Sequence, residues 1–253
     1  MPKLFPPKEN VRCMVVDRIE RTPRIAEIRL RPVGEAVRFW PGQYISLNDT
    51  SRSITPRSYS IANAPRPDGE IVLQITRVPE GKTSNWVHDE VHAGTMVNLS
   101  GPYGTFIGDP STDAPVLCLA AGTGLAPIMG LADAALRRGF NKPVHLMFSA
   151  QREEDIYCKG QLELWNVRHR RFKFLPTLTR EEKAGMLHGR IPAILKDHYP
   201  DLSRHAIYIA GSPEFVDACI TEAKALGAQD EMIHTEGFFD QALPETPAED
   251  RLV

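Results

Sequence analysis

Short apolar runs, alternating or rich in β-branched residues, recur through the first hundred residues of the chain. Turn residues such as Pro41-Gly42 and Pro67-Asp68-Gly69 separate these runs. Strands that recur at this spacing are typical of an antiparallel barrel or sandwich. The predicted strands cover residues 12–19, 25–30, 44–48, 71–78 and 95–100, and one helix is predicted at 84–91.

The pattern changes after a polar segment at residues 108–115, where apolar strands begin to alternate with helices. This alternation predicts a parallel sheet covered by helices, because parallel strands need crossover connections. The predicted strands are 116–120, 144–150, 172–177, 206–210 and 232–234, and the predicted helices are 126–138, 159–167, 191–196 and 213–226. We therefore divide the chain into a β domain, residues 1–108, and an α/β domain, residues 109–253.

Size and charge narrow the class of protein. A chain of 253 residues is long enough for two domains of about 100–150 residues each. Its 42% hydrophobic and 25% charged residues are typical of a globular protein with a buried core. The formal net charge of -2 gives no general positive field for nucleic acid or an anionic membrane surface, so we predict neither as a partner.

The sequence carries no evident signal for secretion or membrane insertion. Residues 1–8 contain prolines and lysines where a signal peptide needs an apolar core, which predicts a cytoplasmic protein. The charge-free stretch 114–132 has the length of a membrane span. Glycines and prolines interrupt it, and a strand, a turn and a helix placed end to end explain it better.

Metal chemistry has little support in the sequence. The four cysteines, at positions 13, 118, 158 and 219, are too widely spaced for a zinc or iron–sulfur motif. His88 and His92 are four residues apart on the predicted helix, but no third ligand accompanies them. We therefore expect both histidines to be solvated helix residues and predict no metal site.

Three segments combine the residues that bind phosphate groups. The turn Gly122-Thr123-Gly124 follows a buried strand and begins a helix, whose N-terminal N–H groups favour an anion. Alone, this Gly-x-Gly-x-x-Pro pattern is a weak signal. Gly81-Lys82-Thr83-Ser84 precedes another helix. Arg57-Ser58-Tyr59-Ser60, at the end of a predicted strand, joins a guanidinium for pyrophosphate to a ring that stacks on a heterocycle.

Taken together, the motifs resemble the ferredoxin–NADP reductase superfamily, specifically the flavin and pyridine-nucleotide module of bacterial oxygenase reductases. The resemblance extends from residue 11 to 239. It implies an antiparallel FAD-binding β-barrel followed by a parallel-sheet NAD(P)H-binding α/β domain, with a hydride passing from nicotinamide C4 to flavin N5. It rests on the order Pro41-Gly42-Gln43-Tyr44, Arg57 to Ser60, Gly81 to Ser84, Gly101-Pro102-Tyr103-Gly104, Gly122 to Pro127, Gly211-Ser212-Pro213 and Glu236-Gly237-Phe238-Phe239.

The resemblance assigns the motifs of the first domain to the flavin. Arg57 would bind the FAD pyrophosphate, Tyr59 would stack on the isoalloxazine, and Ser60 would hydrogen-bond near N5. Other residues implied to contact FAD are Ser58, then Gln74, Ile75 and Thr76 on the neighbouring strand, and Gly81, Lys82, Thr83 and Ser84 in the loop that distinguishes FAD binders from free-flavin enzymes.

Within the second domain, the resemblance assigns Gly122, Thr123 and Gly124 to the pyrophosphate of the pyridine nucleotide. Phe238 or Phe239 would cover the flavin face that nicotinamide must approach, and Glu236 would support proton or electron transfer. Tyr59, Ser60, Glu236 and Phe239 are therefore the candidate catalytic residues.

Two departures from the family pattern limit these expectations. Ala210 stands where many members have a cysteine, so no thiol is expected to assist hydride transfer. The Cys-x4-Cys-x2-Cys spacing of a plant-type [2Fe–2S] domain does not occur in the sequence. The iron-containing acceptor is therefore expected in a partner, or the chain is one piece of a larger system.

Nicotinamide preference depends on residues after the second and third strands of the α/β domain. Arg152 and the pair Thr179-Arg180 are candidates for the 2′-phosphate of NADPH, although acids in the same loops also suit the ribose hydroxyls of NADH. We favour NADPH and leave NADH open.

The sequence thus predicts an FAD-dependent NAD(P)H oxidoreductase that passes electrons to a separate ferredoxin, flavodoxin or oxygenase component. Two alternatives remain at this point. The chain could release free reduced flavin as an NAD(P)H:flavin reductase, or serve as a non-catalytic flavin or nucleotide sensor on the same scaffold.

Overall fold

The first half of the chain forms a six-stranded antiparallel sheet with one helix. The computed structural model describes residues 3–49, 52 and 54–238. The strand order is β4-β3-β6-β1-β2-β5. The elements are β1 (Lys8–Thr22), β2 (Ile25–Pro32), β3 (Tyr44–Asp49), β4 (Ile54–Ser60), β5 (Ile71–Thr76), α1 (Lys82–Asp89) and β6 (Met96–Tyr103).

This sheet curls until its two ends meet, where Ile61, just after β4, forms a single bridge with Leu73 on the opposite edge strand. Alternate residues of β5, including Leu73 and Ile75, are fully buried inside the curl. Trp86 and Val87 of α1 complete this core. The predicted antiparallel barrel is confirmed, in the form of a strongly curled sheet.

The second half forms a six-stranded parallel sheet in the order β10-β9-β8-β7-β11-β12. Apolar cores lie on both of its faces, beneath the helices. The predicted parallel sheet is confirmed. Its elements are β7 (Val116–Ala121), α2 (Leu125–Arg137), β8 (Val144–Ala150), α3 (Lys159–Arg168), β9 (Phe172–Leu178), β10 (Leu187–His188), α4 (Ile191–His198), β11 (Ala206–Gly211), α5 (Pro213–Ala225) and β12 (Ile233–Gly237).

The last strand is longer than its apolar pattern predicts. β12 continues to Gly237, three residues beyond the predicted end at 234, and pairs Glu236 with Ala210 and Gly237 with Gly211. These residues are polar or glycine, so backbone pairing alone extends the strand. The two-residue strand β10 was not predicted, because so short a segment has no periodicity.

Helix α2 attaches the parallel sheet to the curled sheet. A Cβ built on Gly130 would lie 2.8 Å from the Ile61 carbonyl oxygen, so the helix approaches the first half as closely as a glycine permits. One turn further on, Asp133 Oδ2 accepts a hydrogen bond of 3.1 Å from the Ala64 amide. This contact directs the carboxyl edge of the parallel sheet toward β4.

Several sequence expectations concern single residues of the fold. His88 is buried, and its Nε2 lies 3.0 Å from the Ile75 carbonyl, so the expectation of a solvated residue was wrong for it. The reason is that α1 packs its His88 face onto β5. His92 is exposed, as expected. Among the described residues no group of three or more His, Cys, Asp or Glu could hold a metal ion.

None of the helices in residues 3–49, 52 and 54–238 is both long and apolar enough to cross a membrane.

Candidate functional site

A hydrogen bond between the two halves of the chain marks a cleft. The Ser60 hydroxyl, at the end of β4, donates to Glu236 Oε2 on β12 over 3.3 Å. Burial raises the pKa of Glu236 to about 7, and the Ser60 hydrogen bond opposes that rise. This carboxyl group therefore changes its protonation state near neutral pH, which suits a group that holds or releases a proton.

The remainder of the β4 motif presents polar and aromatic groups beside this pair. Arg57 and Ser58 are exposed, and the guanidinium of Arg57 contacts the Pro56 carbonyl at 3.0 Å. Within the described part of the chain, no carboxylate pairs with Arg57. Tyr59 is half-buried, and burial raises its pKa to about 12, so its phenol stays neutral. Strand β4 thus offers an uncompensated cation next to a ring.

The loop before α1 lies against the same strand. The Thr83 hydroxyl donates to the Thr55 carbonyl over 2.7 Å and ties the first turn of the helix to β4. Ser84 Oγ accepts from the Val78 amide and donates to the Gly81 carbonyl, each over 3.1 Å. No side chain caps the helix, its first turn contains no acid, and Lys82 is exposed. This start of a helix is therefore electrostatically suited to a phosphate.

Of the three residues predicted to line the flavin on β5, one points into the junction between the sheets. Gln74 is 3% exposed, and its amide nitrogen lies 3.2 Å from Cys158 Sγ and 3.5 Å from Met129 Sδ. The Ile75 side chain lies in the core of the curled sheet. Thr76 is half-buried and so keeps part of its side chain accessible.

The glycine turn after β7 leads directly into α2. Gly122 has a φ of +55°, and a Cβ on Gly124 would lie 2.1 Å from the Ala210 carbonyl oxygen, so only glycine fits there. Thr123 between them is half-buried. No side chain caps the start of α2, and no acid lies in its first turn. β7 and β11 are neighbours in the sheet, and the chain continues from β7 to β8 on one side and from β11 to β12 on the other. The turn therefore lies at the point where the strand order reverses, the usual ligand crevice of such sheets.

The loops after β8 and β9 meet, and they bring together the residues predicted to select the nicotinamide. The amides of Thr179 and Arg180 donate to the carbonyls of Ala150 and Gln151, each over 3.0 Å. Arg152 and Arg180 are both exposed, and neither guanidinium has a carboxylate partner within the described ranges.

Two acids of these loops, Glu153 and Glu181, already have partners, whereas Glu154 is exposed. Glu153 forms ion pairs with Lys159, at 2.6 Å, and with Lys183. Glu181 accepts a hydrogen bond from the amide of Glu153. These loops therefore present two exposed arginines, together with the exposed Glu154, to a ligand.

The end of β12 carries the aromatic residue predicted to cover the flavin. The Phe238 amide donates to the Gly211 carbonyl over 2.8 Å, and the half-buried ring packs beside the core of the parallel sheet. Phe239, the other candidate, lies outside the described residues.

Two family models match the chain, one in each half. Residues 12–107 match the family model of the oxidoreductase FAD-binding domain, and residues 118–220 match that of the oxidoreductase NAD-binding domain. The reductase component, ferredoxin–NAD(P)(+), of a naphthalene 1,2-dioxygenase system from Pseudomonas putida is 30% identical over 234 residues, which are 92% of this chain and 70% of that protein. The chain belongs to the ferredoxin–NADP reductase superfamily.

Other members of the superfamily show the same extent of similarity. The corresponding component of naphthalene 1,2-dioxygenase/salicylate 5-hydroxylase systems from a Ralstonia species is 32% identical over 87% of this chain, which is 66% of that protein. The crystal structure of the cytochrome P450 reductase GcoB from Amycolatopsis superposes with a TM-score of 0.85 at 28% identity, over 92% of this chain and 70% of that one. The chain thus spans about two thirds of these proteins.

The residues present fit the two cofactors of the superfamily. Arg57 is on β4, the strand to which Thr83 ties the uncapped start of α1, and a guanidinium and free helix N–H groups are the donors that bind a pyrophosphate. The start of α2 is likewise uncapped, and Gly124 removes the side chain that would keep a nucleotide away from the backbone. FAD and NAD(P)H are therefore the cofactors of this superfamily member.

One residue that shapes the nucleotide turn was missed from the sequence. The hydroxyl of Tyr157, a fully buried side chain just before α3, donates to the Gly122 carbonyl over 2.9 Å. Burial raises the Tyr157 pKa well above its usual value, so the hydroxyl remains a donor. Nothing in the local sequence around Tyr157 signals this contact with a turn 35 residues earlier.

Proposed function

We propose that this chain is an FAD-dependent NAD(P)H oxidoreductase that passes electrons from reduced nicotinamide through FAD to a separate ferredoxin, flavodoxin or oxygenase component. The observation that carries the proposal is the Ser60–Glu236 hydrogen bond. It joins the end of the flavin motif on β4 to the edge of the nucleotide-binding sheet, in the cleft where the two cofactors must meet.

Each part of the cleft has a binding task in this proposal. Arg57 and the first turn of α1 hold the FAD pyrophosphate, and Tyr59 supports the flavin ring. Gly122 and Gly124 give the pyridine-nucleotide pyrophosphate access to the start of α2. When bound, FAD accepts a hydride from the nicotinamide and passes the electrons on one at a time, which is chemistry that side chains do not supply.

Glu236 has the proton-handling task. Because burial raises its pKa to about 7, this carboxyl group can take up or release a proton near neutral pH. Ser60 orients that carboxyl group through Oε2. Phe238, just after the same strand, is half-buried against the core of the parallel sheet.

We further propose that the chain prefers NADPH. Arg152 and Arg180 are exposed beside each other without carboxylate partners, whereas Glu153 is held by two lysines. Guanidinium groups bind a 2′-phosphate, and a bonded carboxylate is a poor acceptor for the ribose hydroxyls of NADH. Steady-state kinetics should give a higher kcat/KM for NADPH. Equal values for the two nucleotides, or a preference for NADH, would contradict this assignment.

The domain division and the location of the protein are also proposals. We place the boundary between flavin binding and nucleotide binding at residues 108/109, in the polar connection between β6 and β7. A cytoplasmic location is supported by the four free, buried thiols. Fractionation of cells that express the tagged chain tests the location, and recovery outside the cytosol would overturn it.

Anaerobic stopped-flow spectroscopy tests the main proposal. NADPH or NADH should bleach the visible flavin absorption of purified protein loaded with FAD, and the colour should return when an oxidised ferredoxin is added. Protein that remains colourless after FAD is supplied would overturn the proposal. Bound flavin that no nicotinamide reduces would instead indicate a sensor, and FAD lost on dialysis would indicate a free-flavin reductase.

A further inference from the structure

A cavity outside the proposed cofactor sites lies at the other end of α2 from the nucleotide turn. Its volume is about 530 Å³, within the roughly 300–1,000 Å³ typical of small-molecule sites. Loops 36–41, 65–69 and 108–110 form three of its walls, and α2 forms the fourth. Neither the β4 motif nor the turn at 122–124 contributes to it.

The lining combines apolar surface with positive charge. Phe39 and Leu131 are buried and form the floor, while Ala134 and Ala135 present the half-exposed face of α2. Arginine is the charged residue type among the lining residues that the structure describes, and none of those residues is acidic. An apolar chamber with cations and without carboxylates selects an apolar ligand that carries a negative group.

Two of the arginines are held by aromatic rings and remain available to an anion. The guanidinium of Arg138 lies 5.0 Å from the ring centroid of Phe140, and that of Arg38 lies 4.4 Å from the centroid of Phe5. Neither has a carboxylate within salt-bridge distance in the described ranges. The third arginine, Arg66, is already paired with carboxylates of its own loop.

The N-terminal segment supplies an aromatic wall. The rings of Phe5 and Trp40 are stacked, with centroids 6.0 Å apart and an interplanar angle of 17°. Trp40 Nε1 donates to the Lys3 carbonyl over 3.1 Å, which fastens this segment over the cavity. Flat rings at the entrance favour a ligand that is itself aromatic.

We propose that this cavity binds an aromatic carboxylate of about two rings, with its hydrocarbon against Phe39 and Leu131 and its carboxylate at Arg138 and Arg38. The proposal concerns a site separate from the proposed cofactor cleft. The proposal for this cavity therefore does not depend on whether the chain is a reductase.

Fluorescence titration of the FAD-loaded chain tests the site. Saturating NADP⁺ is included so that the reporter, 8-anilino-1-naphthalenesulfonate, does not enter the nucleotide cleft. We expect the reporter to bind, and 2-naphthoate to displace it more effectively than the neutral 2-naphthalenemethanol. Arg138→Gln should weaken 2-naphthoate about tenfold, because it removes a charged hydrogen-bond donor. Arg170→Gln, the same change at an exposed arginine on the α3–β9 connection, is the matched control.

A second variant tests the cavity itself. Ala134→Trp places a large ring in the chamber from a half-exposed helix position and should abolish reporter binding while FAD is retained. If this variant fails to fold, the Arg138→Gln comparison decides the question. Equal 2-naphthoate affinities for wild type, Arg138→Gln and Arg170→Gln would overturn the proposal. Reporter binding that is lost as the protein self-associates would assign the cavity to a second copy of the chain and would also overturn it.

Discussion

The two helix N-termini that face the cleft are built in opposite ways. The start of α1 is held by side-chain hydrogen bonds: Ser84 Oγ accepts from the nearby Val78 amide, and the Thr83 hydroxyl donates to the Thr55 carbonyl on β4. The start of α2 is held by close backbone packing, since Gly124 leaves no room for a Cβ against Ala210, and by the distant Tyr157. Both turns can be recognised from their own residues, but the contacts that fix them differ: side-chain hydrogen bonds hold the first, and close backbone packing holds the second.

Breaking the backbone packing should have the largest effect. Gly124→Ala forces its new methyl group to within 2.1 Å of the buried Ala210 carbonyl oxygen, so α2 or β11 must shift. We expect the free energy of unfolding to fall by about 3 kcal/mol and NADP⁺ affinity to fall about a hundredfold. Urea unfolding and isothermal titration calorimetry measure the two effects.

Gly122→Ala is the matched control for this prediction. It has a positive φ of +55°, but a Cβ there meets nothing within 4 Å. The cost should therefore be only the backbone strain of about 1 kcal/mol. If Gly122→Ala and Gly124→Ala lose the same unfolding free energy, the tight packing of Gly124 does not contribute to stability.

In the proposed flavin site, FAD affinity should depend most on the charge of Arg57. Arg57→Gln removes the planar charged donor on β4, and we expect FAD affinity to fall by about 2 kcal/mol. Quenching of FAD fluorescence by the apoprotein measures it. Arg12→Gln, at an exposed position on β1, should leave the FAD affinity unchanged. If Arg57→Gln also binds FAD normally, the start of α1 alone holds the pyrophosphate, and the proposed contribution of β4 is wrong.

The curled sheet and the parallel sheet meet at the Ser60–Glu236 hydrogen bond, and the burial of Glu236 should make the stability depend on pH. Burial raises its pKa from 4.5 to about 7, so the folded chain binds this proton more tightly than the unfolded chain does. Its stabilising contribution is therefore complete below about pH 4.5 and decreases as the pH rises toward 7.

Glu236→Gln should remove this dependence. Relative to the variant, wild type should lose about 2–3 kcal/mol of unfolding free energy as the pH rises from 4.5 through about 7, and the difference should level off about one unit above the folded pKa. Denaturant unfolding at a series of pH values measures the difference. Glu231→Gln, at an exposed position before the same strand, should match wild type throughout. A constant difference between wild type and Glu236→Gln across this range would mean that Glu236 titrates normally.

The sequence predicts the elements better than the contacts between them. Apolar alternation revealed most strands, and turn glycines identified the motif positions before any contact was known. The sequence did not reveal that the Gln74 side chain contacts Cys158 between the two sheets, or that His88 is buried against β5. Both depend on packing between segments distant in the chain, and such packing leaves no periodic signal in either segment.

The smallest expected effect is that of removing the Tyr157 hydroxyl, which contacts the turn before α2 and not the turn before α1. Tyr157→Phe keeps the buried ring but removes the hydroxyl that donates to Gly122, and the loss of one hydrogen bond costs about 1 kcal/mol. Tyr199→Phe is the matched control, because its hydroxyl contacts His145 instead. Both variants should lose similar stability, but only Tyr157→Phe should weaken NADP⁺ binding, by about fivefold in calorimetry with FAD binding unchanged. If both variants bind NADP⁺ like wild type, the backbone packing of Gly124 fixes the nucleotide turn without help from Tyr157.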